Sequence, residues 1–120
     1  MSEDEVKSSV KKWLESYGWD ASIQWGRSFG IGVEALRGEA RWIIEARGCE
    51  ELQIMRVSFF LALLGETLQA MSDEDAKYSV AFPDTPKYRY LWQDLPILAK
   101  ERTGITALFV DTGGRVEEVG

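Results

Sequence analysis

Val6, Val10, Trp13, Leu14 and Tyr17 recur at three- and four-residue intervals, which places them on one face of a helix near the start of the chain. Ser2 and Glu5 stand at capping-box spacing before it, and Gly18 supplies a stop. This periodicity assigns Lys7, Lys11 and Lys12 to the outer, solvated surface. From 19 to 25 the period drops to two, with Ile23 and Trp25 on one side and Ser22 and Gln24 on the other, so a first strand is expected. Two further strands, 31–36 and 41–47, flank a Gly-containing hairpin turn at 37–40. Gly48, Cys49, Glu50 and Glu51 break the pattern ahead of a long helix over 52–71. Its centre, 57–64, is apolar nearly all round and predicts burial.

Beyond a polar connection, 77–82 reads as a strand ended by Pro83, followed by a loop over 84–89 that contains Pro86. A helix is expected over 90–103, with Leu91, Leu95, Leu98 and Arg102 on one stripe and Gly104 as its stop. Pro96 inside it marks either a break or a helix start capped by Asp94. A buried strand over 105–110, a turn through Gly113 and Gly114, and a last strand over 115–119 complete the chain. The order αβββαβαββ predicts a single α/β domain over 1–120, a mixed sheet with helices on both sides.

The hairpin sets a register with chemical consequences. If Leu36 faces Arg41, Glu34 lies opposite Ile43, and alternation puts Glu34, Ile43, Glu45 and Arg47 on one face. The other face carries Ile31, Val33, Ala35, Trp42, Ile44 and Ala46, all apolar, and a one-residue slip would drive Glu34 among them. One face is thus expected to be core and the other to hold two carboxylates and a guanidinium. Two acids beside a cation are the ingredients of a divalent-metal phosphodiesterase site. The plainer reading is a pair of half-exposed acids, with Glu45 paired to Arg41 or Arg47.

Composition narrows the chemistry. The chain of 120 residues, 45% hydrophobic, is long enough for one compact core. Histidine is absent, which excludes imidazole-dependent triads and histidine-ligated zinc or iron. The single cysteine, Cys49, excludes an internal disulfide. No apolar run spans a bilayer, and the acidic first residues lack the apolar core of a signal peptide, so a cytoplasmic protein is expected. The net charge of −6 counts against a dedicated duplex binder.

The order of elements and the placement of the acids resemble the restriction-endonuclease-like superfamily, the PD-(D/E)xK nucleases. Small standalone members such as archaeal-type Holliday junction resolvases, and uncharacterised relatives, look closest. Gly32-Val33-Glu34 resembles the first acidic element, and Ile44-Glu45-Ala46-Arg47-Gly48 the (D/E)-x-K triplet. The resemblance implies Mg²⁺ or Mn²⁺ held by Glu34 and Glu45, and hydrolysis of DNA or RNA. Two departures stand out: Glu34 replaces the usual aspartate, and Arg47 the lysine. Arginine keeps the charge for stabilising a phosphorane-like centre but does not act as a base, which implies weak or lost activity.

Four further residues are candidates for nucleic-acid contact. Gln53 and Arg56 lie near the start of the long helix. Lys87 and Arg89 belong to a stretch, 86–92, that alternates basic and aromatic residues as stacking surfaces do. The competing reading of that stretch has its aromatics anchoring the next helix to the core. Two functions therefore stay open at the level of sequence. One is a metal-dependent nuclease-like domain. The other is a catalytically silent nuclease fold acting as a homodimer or a partner-binding module.

Overall fold

A computed structural model describes residues 1–24, 32–48 and 56–120, with Arg56 described by its backbone only. Helix α1 spans Glu3–Ser16 and opens with the expected capping box: Ser2 Oγ accepts from the Glu5 backbone N–H at 3.1 Å, and Glu5 returns the bond. Gly18 follows it with φ of 86°. Strands β1 (Asp20–Ile23), β2 (Val33–Arg37) and β3 (Ala40–Ala46) come next. Helix α2 (Arg56–Ala70) crosses to β4 (Ala76–Pro83). Two helices, α3 (Pro86–Gln93) and α4 (Ile97–Thr103), precede β5 (Thr106–Val110) and β6 (Val116–Val119). Expectations for Trp25, Ile31, Cys49, Gln53 and the Arg56 side chain lie outside the described residues.

The described strands join one sheet in chain order, β1 to β6. The β3–β4 and β4–β5 pairs are parallel and the others antiparallel, because only the helical crossovers return the chain in the same direction. The hairpin register is the expected one, with Leu36 beside Arg41 and Glu34 beside Ile43. This is the α/β arrangement anticipated from the order of elements, a mixed sheet flanked by helices.

Each sheet face carries its own core. On the α1 side, Val6, Val10 and Leu14 pack on Val33, Ala35, Ile44, Ala81 and Leu108. Trp42 meets Trp13 and Trp19 edge-on, at 5.7 and 5.5 Å between ring centroids, and its indole N–H donates to Ser79 Oγ at 2.9 Å. On the α2 and α3 side, Phe60 and Leu63 join Ile43, Val80, Phe82, Tyr88, Trp92 and Phe109. The face expected to hold two carboxylates and a guanidinium beside Ile43 is therefore mostly core as well. Parallel pairing explains this, since its crossover helices must cover the sheet.

The helix expected over 90–103 is two helices, and the loop expected over 84–89 already contains the first. Thr85 caps it by accepting from the Tyr88 N–H at 3.2 Å, and Pro86 occupies the first turn, where its missing N–H costs nothing. Pro96 makes the break. Asp94 ends α3 rather than capping α4, whose N-cap is Pro96 itself. Replacing Thr85 by alanine is expected to cost about 1 kcal/mol, measured by urea unfolding.

Candidate functional site

β3 runs into its parallel neighbour β4 and ends under the first turn of α1. Gly48, just past the strand, touches that turn: a Cβ there would lie 2.4 Å from the Glu3 nitrogen and 2.6 Å from the Ser2 carbonyl carbon. Gly32, just before β2, lies close to β3, where a Cβ would meet the Ile44 carbonyl oxygen at 2.9 Å. These two glycines let backbone press on backbone around Glu45.

Glu45 is only 4% exposed. Its Oε1 has no hydrogen-bond partner among the described residues, which is unusual for a buried carboxyl. Burial, and secondarily the Glu66 carboxylate, raise its pKa to about 7, while Arg47, Lys7 and a hydrogen bond from the Gly32 backbone act in the opposite direction. Arg47 is a clamp: its Nη1 donates to Glu3 Oε1 at 3.2 Å and its Nη2 to Glu66 Oε1.

Lys7 was expected on the solvated surface, and the structure corrects this. It is 3% exposed, pairs with Glu3 at 3.0 Å, and donates to the Gln24 carbonyl at 2.6 Å. Those partners satisfy an ammonium that water would otherwise solvate. One sequence signal existed: Lys7 lies three and seven residues before Val10 and Leu14, on the buried stripe. Glu3 and Glu66 carried no comparable signal, since ion pairing across elements leaves no periodicity.

Glu34 stands apart from this group. The shared face is real, but the Glu34 carboxylate accepts from Arg41 Nε at 2.5 Å, and Arg41 also reaches Asp73 at 3.2 Å. Asp73 titrates below the usual carboxylate range, held first by the Asp75 backbone N–H and then by Arg41. Arg41 thus pairs with Glu34, and Glu45 sits with Arg47. Among the described residues no three acidic or cysteine side chains converge on a point that could hold a metal.

The basic and aromatic stretch serves mainly the interior. Tyr88 and Trp92 are buried, and Tyr88 stacks on Phe82 at 4.8 Å. Arg89 is bidentate to Asp84, bonds Glu117, and lies over the Phe109 ring at 4.0 Å. Lys87 remains on the surface. No helix among the described residues is long and apolar enough to cross a membrane.

No protein-family model matches the chain, and no curated protein sequence does. Crystal structures that share its fold include the following two. An XisH family protein from Nostoc punctiforme PCC 73102 superposes with a TM-score of 0.67 at 19% identity, over 98% of this chain and 100% of that one. An FdxN element excision controlling factor from Anabaena variabilis gives a TM-score of 0.67 at 18% identity, over 98% and 99%. At such identities the likeness establishes the fold.

Proposed function

We propose that the chain is a nuclease-like domain whose chemistry centres on Glu45, with phosphodiester bonds of DNA or RNA as substrate. The observation that carries this reading is the buried Oε1 of Glu45, without a hydrogen-bond partner among the described residues and set among Lys7, Arg47 and Glu66. A carboxyl so placed gains nothing for stability and is poised for a ligand. The FdxN element excision controlling factor among the structural neighbours favours a nucleic-acid role over other phosphodiesters.

The donors fit a lightly held Mg²⁺ or Mn²⁺. Magnesium takes one or two carboxylates and fills its remaining positions with water and phosphate oxygens, which suits Glu45 assisted by Glu66. Glu34 would join only by releasing Arg41. When bound, the cation supplies charge to the phosphate and acidifies water. The residues do the rest: Glu45 gives up its proton to become a ligand, and Arg47 holds Glu3 and Glu66 in place. Lys7 brings an ammonium to the site where the triplet's own lysine is missing.

Cation binding should therefore strengthen as pH rises through about 7, where Glu45 ionises. At a hundredfold excess over Kd, mass action adds about 2.7 kcal/mol, a rise of several degrees in Tm. Glu45→Ala should remove that rise and leave the fold intact. The companion assay is Mn²⁺-dependent cleavage of branched, duplex and single-stranded DNA and of RNA, with chelator as control. Arg47→Lys should raise cleavage if Arg47 merely weakens a working nuclease.

One observation favours the silent, partner-binding alternative: Glu34 is held by Arg41, and Arg47 is shared between Glu3 and Glu66. An equal Tm shift in wild type and Glu45→Ala, with no cleavage by wild type or Arg47→Lys, would decide for it.

A further inference from the structure

Helix α2 is apolar on two sides. Phe60, Leu63 and Thr67 face the core. A second row, Val57, Leu61, Leu64 and Leu68, runs along the flank, with Leu61 60% and Leu68 51% exposed and Leu64 packed partly on the core edge. The row's intervals are four, three and four residues, the spacing of the seam between two packed helices.

Beside the row lies a column of small or uncharged residues, Ser58, Ala62, Gly65 and Gln69. Gly65 weakens the middle of a helix, and a Cβ there would meet nothing within 4 Å among the described residues. No described residue of the protomer requires glycine at that position; close approach of a second helix would. From Val57 to Ala70 the only charged residue is Glu66, and it turns to Arg47. In a chain of net charge −6, this face lets two copies meet without opposing like charges.

We propose that a second copy of this chain covers the outer face of α2, the two helices packing antiparallel about a two-fold axis. The row itself selects this occupant. Its four–three–four intervals are symmetric about the midpoint between Leu61 and Leu64. Reversing the helix superimposes the row on itself, setting Leu61 against the partner subunit's Leu64 and Val57 against the partner subunit's Leu68. Self-complementarity of one patch is what a two-fold interface requires. A single helix pair lies at the small end of specific interfaces, below about 1,200 Å² in total, which suits a dimer of micromolar strength. The inference does not depend on catalysis at Glu45.

Sedimentation equilibrium of the full chain tests it. At tens of micromolar the wild type should show twice its mass of 13.6 kDa. Leu61→Glu buries a charge in the seam, and Gly65→Leu fills the notch while improving the helix of the isolated protomer. Both variants should sediment as monomers with wild-type circular dichroism, and Gly65→Leu should melt no lower than wild type at low concentration. A wild type that stays monomeric at every loading overturns the proposal and leaves the face to an unrelated protein. A dimer that survives either substitution overturns it as well.

Discussion

Glu45→Gln should stabilise the folded chain at pH 8 by up to about 3 kcal/mol, the free energy that corresponds to raising a carboxyl from 4.5 to about 7. The sign follows from proton counting. Between pH 4.5 and 7 the folded state binds a proton at Glu45 that the unfolded chain has released, so wild-type stability falls as pH rises through this window. Above pH 7 the full cost of an ionised, buried carboxylate beside Glu66 is present. Below pH 4.5 both states are protonated and the cost disappears. Glutamine imitates the protonated form and carries no charge to bury, so the variant's advantage should shrink steadily from pH 8 to pH 4. Urea unfolding across that range measures it. A variant no more stable than wild type at pH 8 would show that solvent or a neighbouring cation already compensates the charge.

Gly48→Ala should cost about 1–3 kcal/mol through overpacking, although alanine suits most backbones better than glycine. Its Cβ would fall within 3 Å of three backbone atoms from Met1, Ser2 and Glu3, and backbone cannot swing aside as a side chain can. The first turn of α1 must lift, carrying Glu3 away from Arg47 and Lys7 away from Glu45. The expected signature is lower stability together with a further rise in the Glu45 pKa, since Lys7, which favours its ionised form, recedes. Carbon-detected NMR titration of the Glu45 carboxyl reads the second effect. Lower stability with an unchanged Glu45 titration would mean that α1 holds its place and the strain is absorbed elsewhere.

Much of the architecture was legible in the sequence because it rests on local rules. The Ser2 and Glu5 capping box, the stops at Gly18 and Gly104, and the turn through Gly113 and Gly114 are short-range backbone chemistry. The β2–β3 register was legible for a different reason: Val33, Ala35, Trp42 and Ile44 are all apolar, and one-residue slippage would bury Glu34 among them. The start of α3 was misread although its signals were local. Thr85 followed by Pro86 is a helix start, and the prolines on either side suggested a loop.

By itself, then, the sequence determined the order of strands, the pairing of the hairpin and the shared face of Glu34 and Glu45, since each follows from alternation and turn chemistry within a few residues. Only the tertiary structure decided which charges meet. Arg41 takes Glu34 because Asp73, far along the chain, anchors its other end. Lys7 is buried because Gly48 admits the first turn of α1 against β3, and Glu66 reaches Arg47 from the opposite side of the sheet. The Glu45 carboxyl is perturbed because backbone and helices close over it from both directions. These are contacts between elements distant in sequence, and no periodicity along the chain records them.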